Sequence, residues 1–555
     1  MDNYGIWGIL PPILTIVLAF ITKDVVVSLM VGIFVGSMIV CGGNPFAAIT
    51  HLTDNVADNL SDGWNIRIVL FCLLLGGYVG LMIKTGATSA FAAWARKRIK
   101  SRRSSLVLTW FCGLVIFIDD YFNSLAVGTV MRPVTDKFNV SRAKLSYILD
   151  STAAPVCMLA PISSWVVTVM SIIKNSDGFE GLGINEFSFF IRSIPYNLYA
   201  ILTIFTVLAF CLLKFDFGPM KKSEDLALSK GVLYDSRYGA PSVEGEENIQ
   251  FPPENNRVRT CDMLIPLLVL IFTAVIMFPV TTYMGAIDGE SIKTFSQATA
   301  SMTLGQAFND TDASKALFYA IIISIVFTYV YYLARKLFNI EKASAALISG
   351  VKTMLPACFI LAMAWTIGGI IKSSPAEGGL GLSNYLSNVF VQNRFPVRIL
   401  PFLVLAVSVL ISFSTGSSWG TFSIMIPITL PIVVELGIST GLPHAAVLNC
   451  TLFTVAGIFS GAVFGDHVSP ISDSTILSST GAGCPHLEHV GTQMPYAVVV
   501  MASVAIGFLV GGLCNFSAIV SWLVSVVCLV ACFVFVPKFE IVDRHLTLKK
   551  PENGN

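Results

Sequence analysis

Apolar runs long enough to cross a bilayer recur from one end of the chain to the other, and several are interrupted by proline and carboxylate. No other feature restricts the fold so strongly. Inside a ~30 Å hydrocarbon core every backbone N–H and C=O must be bonded internally, which leaves helices and closed barrels. The run lengths fit helices, so the chain reads as an all-α polytopic membrane protein. Composition agrees: 54% of the 555 residues are hydrophobic and 12% charged, against about 25% charged in a soluble protein. A net charge of +1 gives nucleic acid no reason to bind. The twelve cysteines lie mostly in apolar runs without zinc spacing and read as small core residues. With no phosphate loop and no nucleophile elbow, an enzyme is not expected. The first run, Gly5 to Ile21, lacks a basic leader and reads as a retained helix rather than a cleaved signal.

In chain order, helices are expected at about 6–22, 25–41 and 68–84, with an acidic loop carrying Asp54, Asp58 and Asp62 before the third. The cluster Arg96-Lys-Arg-Ile-Lys-Ser-Arg-Arg103 then belongs in the cytoplasm by the positive-inside rule. Residues 105–135 are apolar at both ends and broken by Asp119-Asp-Tyr-Phe-Asn-Ser124. Their far flank is basic too (Arg132, Lys137, Arg142, Lys144), so a re-entrant hairpin is expected. The next crossing, Ala143 to Ile173, is broken by Asp150-Ser-Thr-Ala-Ala-Pro155 and Pro161-Ile-Ser-Ser164. After a helix at 196–213, residues 215–260 are polar, rich in Pro and Gly, and read as a cytoplasmic linker without a packed core. Helices at about 263–284, 316–333 and 354–371 precede a second pair of apolar arms, 399–434, around Ser412-Phe-Ser-Thr-Gly-Ser-Ser-Trp419. The run from Ala445 ends on Phe464-Gly-Asp-His-Val-Ser-Pro-Ile-Ser-Asp-Ser-Thr475, a second broken helix. Helices at about 494–513 and 519–536 close the chain.

The halves resemble each other. Gly80-Leu-Met-Ile-Lys-Thr85 matches Gly368-Gly-Ile-Ile-Lys-Ser373, Met131-Arg-Pro-Val-Thr135 matches Met425-Ile-Pro-Ile-Thr429, and Ala160-Pro-Ile-Ser-Ser164 matches Ser469-Pro-Ile-Ser-Asp473. These matches keep the same order, which points to duplication. Five crossings and one hairpin per half make the repeats inverted, and one extra C-terminal helix gives about eleven crossings, with the N-terminus outside and the C-terminus inside. The expected units are a first membrane repeat (1–214), the linker (215–260), a second, inverted repeat (261–514), and a last helix with a cytoplasmic tail (515–555). An inverted repeat with two re-entrant hairpins and two broken transmembrane helices is the architecture of a secondary transporter.

Proline withholds a backbone donor. At bilayer depth, freed groups are tolerated only inside protein or beside a wet cavity, and carboxylates there mark an ion or proton pathway by default. Candidate ligands are Asp120, Asn123, Ser124, Asp150, Thr152, Ser163, Thr415, Ser417, Ser418, Asp466, Ser469, Asp473 and Ser474; Asp119 adds charge, and one of the Asp119–Asp120 pair can instead cap the second arm of its hairpin. Sodium is hard and favours oxygen ligands; a subset of Asp150, Asp466 and Asp473 is expected to hold it. A carboxylate in low dielectric can hold a proton or a cation, which suffices for exchange at one site. Lys84 and Lys372 end their helices and snorkel, and His467 reads as structural.

Gly465-Asp-His-Val-Ser-Pro-Ile-Ser-Asp-Ser-Thr475, followed by Gly483-Cys-Pro-His-Leu-Glu-His489, closely resembles the signature of the NhaC family, in which Gly-Asp-Lys-x-Ser-Pro-x-Ser-Asp-Thr-Thr precedes Gly-Cys-Asp-x-x-x-His. The run at 119–124 is similar to that family's first-half motif, and the resemblance covers nearly the whole chain. It implies a sodium/proton antiporter of the bacterial cytoplasmic membrane, in the wider ion-transporter superfamily. The chain departs from the pattern at His467, where the family has Lys, and at Ile476-Leu477, where it has Asn-Leu. The same family includes a malate–proton/sodium–lactate antiporter and members believed to carry amino acids. Coupled transport of a small organic acid or amino acid is therefore the alternative expectation. Expected partners are membrane lipid, Na+ and H+, with a small organic acid and a second copy of the chain as further candidates. No cofactor is expected beyond the ions themselves.

Overall fold

The computed structural model describes residues 3–547 except 23–24, 88–89, 92, 95–98, 118, 214, 240–256, 289–290, 310, 338, 373–374, 383–384, 386–388, 390–395 and 471. The described residues form helices and no strands. Among the described residues, eight helices are long and apolar enough to cross a membrane, or up to eleven when each of three bent pairs counts as one span.

Both hairpins and both broken helices are present. The first hairpin joins Arg102–Val115 to Asp120–Lys137, and the second joins Leu400–Thr415 to Ser418–Ser439. The first broken helix is Arg142–Cys157 plus Ser164–Lys174; the second is His444–Val468 plus Asp473–Ala482. Polar residues in the sequence set these ends. The Ser101 and Ser104 side chains cap the first hairpin reciprocally. Gly416 ends the first arm of the second hairpin in the left-handed region (φ 64), where a side chain would be strained.

The two breaks are repaired in the same way. Pro161 cannot donate to the carbonyl of Cys157, and the Ser163 hydroxyl donates to it instead at 2.7 Å. Pro470 cannot donate to the carbonyl of Asp466, which accepts from Ser469 N–H at 3.2 Å and from the Thr475 hydroxyl at 3.3 Å. Ser163 and Ser472 then cap the short halves, accepting from Val166 N–H and Thr475 N–H.

Each hairpin packs both arms on the long half of its own broken helix. Each short half crosses over: Asp473–Ala482 packs on Asp120–Lys137, and Ser164–Lys174 packs on Ser418–Ser439. Contact is closest at Gly481, where an added Cβ would lie 2.5 Å from the carbonyl oxygen of Ser124.

Three polar stretches differ from the sequence expectation. The acidic loop after the second helix contains the helix Pro45–Ser61, capped by Asn44 and turned through 118° from the helix before it. The basic link before residue 354 contains the helix Ile340–Thr353, whose Gly350 meets Gly76 and Gly80 of the helix Gly63–Lys84. The linker is not wholly unpacked: Gly218–Lys230 is a helix that buries Met220 and Ala227. Its Glu224 accepts from Ser141 N–H at 2.8 Å and pairs with Arg102, and its Ser223 donates to Glu488 at 2.7 Å. Short helices of this kind carry too many polar residues to stand out as apolar spans, and Asp54, Asp58, Glu341 and Lys352 stay exposed. Residues 240–256 of the linker lie outside the described residues.

Candidate functional site

Four buried aspartates, Asp119, Asp120, Asp150 and Asp466, fall into three groups near the hairpin tips and helix breaks. The first is Asp466, two residues from the end of His444–Val468. One carboxylate oxygen accepts from the hydroxyl of Ser418 at 2.7 Å, at the start of the second hairpin's return arm. The other accepts from Ser472 and, at 3.5 Å, from Ser474, both on the far side of the break. A hairpin tip and a helix break are thus tied to one carboxylate through three hydroxyls. Ser418 and Ser474 can donate to Asp466 and still present lone pairs to a cation, while Ser472, which also accepts from Thr475 N–H, keeps one. Ser469 is buried here and contributes its N–H to the Asp466 carbonyl.

The second group is on the first hairpin. Asp119 occupies the position before the return arm and accepts from Ser164 at 3.1 Å. One oxygen of Asp120 accepts from the indole N–H of Trp165 at 2.8 Å, and the other is buried without a donor. One turn on, the Asn123 amide reaches the carbonyls of Gly113, Ile116 and Thr152 at 2.7, 2.8 and 3.0 Å, while its own oxygen has no donor. Two buried acceptors three residues apart share one helix face. Acceptors left without donors are costly and suit a cation or a water. Trp165 also meets Trp419 of the second hairpin edge-on at 5.8 Å, and Ser124 bonds Ser478 across the halves at 3.0 Å.

The third group is Asp150. Its oxygen accepts from Gln493 at 2.7 Å and from His489 at 3.2 Å, with His467 at 4.0 Å. His467 is held between Ser151 at 3.1 Å and the Tyr199 hydroxyl at 2.8 Å, and its carbonyl accepts from Gln493. Asp150 therefore sits among nitrogen donors rather than among hydroxyls. His489 and Gln493 were not singled out from sequence, because the helix that carries them starts at His486 rather than near 494. The available signal was the motif Gly483 to His489, read for family and not for contacts.

The other candidate hydroxyls are engaged locally. Thr152 and Thr415 bond back to Ile148 and Ile411, Ser163 repairs the carbonyl of Cys157, and Ser417 caps the second hairpin's return arm. Asp473 begins its short helix, and its side chain lies outside the described residues.

Crossing helices, two hairpins and two broken helices converging on buried carboxylates define a multi-pass membrane protein built as a secondary transporter. The chain belongs to the Na+/H+ antiporter family, which its residues 156–513 match, in keeping with the motif at 465–475. It is 36% identical over 545 residues, 96% of each chain, to an uncharacterised protein of Haemophilus influenzae. A 174-residue region, 30% of this chain and 33% of the relative, is 30% identical to a malate-2H(+)/Na(+)-lactate antiporter of Bacillus subtilis. A 190-residue region, 34% of this chain and 35% of the other, is 30% identical to an uncharacterised Na(+)/H(+) antiporter of Haemophilus influenzae. Among solved structures, the Alcanivorax borkumensis YdaH transporter is similar with a TM-score of 0.43 at 14% identity, covering 88% of each chain.

Proposed function

We propose that this chain exchanges Na+ for H+ across a bacterial cytoplasmic membrane, and that the two ions compete for Asp466. The observation that carries this reading is the set of three hydroxyls, from Ser418, Ser472 and Ser474, that converge on that one buried carboxylate. With Asp466 ionised, two carboxylate oxygens and the hydroxyl lone pairs form a hard oxygen set for Na+. With a proton on Asp466 the charge that holds Na+ is gone, and the group is cheaper to leave in a dry interior. Either ion neutralises the site and lets it pass between the two faces; an empty, ionised site would be costly to move. That is the condition for obligatory exchange. Asp120 and Asn123 offer further oxygens on the opposing hairpin. Asp150 ranks behind Asp466, since His489 and Gln493 already compensate it. The proposed orientation keeps the basic cluster before residue 104 inside, the N-terminus outside and the C-terminus inside.

The test is Na+-driven proton flux in proteoliposomes followed with an internal pH dye. Asp466→Asn keeps the shape but can neither bear charge nor take up the transported proton, and is expected to abolish the flux in a protein that still inserts. Wild-type flux and pH dependence in that variant would place the exchange elsewhere. A second reading, coupled antiport of a small organic acid, draws support from the region shared with the malate/lactate antiporter. A strict requirement for added malate or lactate before any Na+-driven flux is seen would favour it.

A further inference from the structure

Two clefts meet where the helix Leu198–Leu212 ends. One is an apolar groove of about 620 Å³ between this helix and the last one, Ala518–Thr547, with Phe205, Phe210, Trp522, Val530 and Phe533 among its walls. The other is a pocket of about 540 Å³ at the groove's end, lined by Arg102, Arg103, Lys221, Asp216, Glu224 and Asp225. Leu213 and Phe215 line both, so the two are continuous.

The charges in the pocket are already partly spent. Glu224 is taken by Arg102, and Asp216 by Lys144 at 2.6 Å. Among the described residues no ion-pair partner is found for Arg103 or Lys221. Two unspent cations against exposed Asp225 leave a balance of one positive charge at the mouth of an apolar groove. The groove walls face outward: Phe205 is 60% exposed and Val530 56%. From Leu202 to Leu213 the groove follows the helix for about 17 Å at 1.5 Å per residue, a length that takes most of one acyl chain. A helix of a second copy could fill the groove, but it would leave Arg103 and Lys221 without an anion.

We propose that the joined cleft binds one phospholipid, its phosphodiester between Arg103 and Lys221 and one acyl chain along the groove. The pocket is roofed by Gly218–Lys230, so a bound lipid would brace that helix against the first hairpin whichever ion is exchanged.

The test uses the full chain in mild detergent, stripped of lipid and titrated in native mass spectrometry. The two probes are phosphatidylglycerol and a diacylglycerol with the same acyl chains and no phosphate. One phosphatidylglycerol is expected to be retained per chain, and the diacylglycerol to bind far less. Arg103→Ala with Lys221→Ala should weaken phosphatidylglycerol about 30-fold, from roughly fivefold per cation at a membrane surface. Val530→Trp, which fills the groove and leaves the charges in place, should weaken both probes. The proposal is overturned if the wild type retains no phospholipid, if it prefers a dimer to a bound lipid, or if either variant binds phosphatidylglycerol within twofold of wild type. Size exclusion and melting curves, expected to match wild type, separate lost binding from lost folding.

Discussion

Replacing Gly481 with alanine tests whether the crossover between the halves is needed. The new Cβ would sit 2.5 Å from the carbonyl oxygen of Ser124, where ordinary contact begins at 3.4 Å. The first hairpin and the short helix Asp473–Ala482 must separate by 0.9 Å to restore ordinary contact. Neither partner is a flexible tip, since both are helix backbone. A separation of that size stretches the 3.0 Å bond between Ser124 and Ser478 beyond hydrogen-bonding range. Overpacking costs about 1–3 kcal/mol and the lost bond about 0.5–1.5 kcal/mol, so roughly 2–4 kcal/mol of stability is at stake. Transport should suffer more than stability, because the displaced hairpin carries Asp120 and Asn123. The matched control is Gly491→Ala, which meets nothing within 4 Å and should stabilise its helix by about 0.5–1 kcal/mol. Melting temperature and Na+-driven proton flux are measured on both. If Gly481→Ala melts and transports like Gly491→Ala, close approach of the halves is not what positions the site.

Two further outcomes follow from the buried partners. His489→Leu takes a donor from Asp150 and should cost about 1–3 kcal/mol, with His489→Gln recovering part of the loss because it keeps a donor; equal melting of all three proteins would remove His489 from the support of Asp150. Glu224→Ala leaves Ser141 N–H and Arg102 without their partner, so limited proteolysis should cut residues 216–238 faster than in the wild type. Unchanged cleavage in Glu224→Ala would show that this contact does not hold the segment down.

What the sequence disclosed follows from how lipid treats backbone. A proline within an apolar run forces a repair, and the repairing groups lie close by in sequence, as Ser163 does for Cys157 and Thr475 does for Asp466. The breaks and hairpin tips could therefore be placed to within a few residues. Long-range partners could not. The two turns from His486 to Gln493 are too polar to resemble a membrane helix; inside the protein they carry the donors that Asp150 needs, His489 and Gln493. The same effect hid Gly218–Lys230, whose apolar contacts are too few to register but whose carboxylate is bound on two sides. Of the two candidate cation ligands that flank the second break, Asp466 gathers the hydroxyls, and the Asp473 side chain lies outside the described residues.

The crossover also bears on how the chain is made. Ser124 and Ser478 are 354 residues apart. At a synthesis rate of about 5–20 residues per second, the first hairpin waits roughly 20–70 s for the helix that covers its tip. Throughout that interval Ser124 and the donorless oxygens of Asp120 and Asn123 stand in a half-built membrane protein with no opposing half, although Asp120 and Asn123 already have Trp165, Gly113, Ile116 and Thr152 as partners. The bilayer cannot satisfy such groups, so the hairpin must stay near water or insertion machinery until the second half arrives. Late insertion of Asp473–Ala482 would then be the step that commits the molecule, and truncations that end before it should be recognised and degraded rather than accumulate as folded half-transporters.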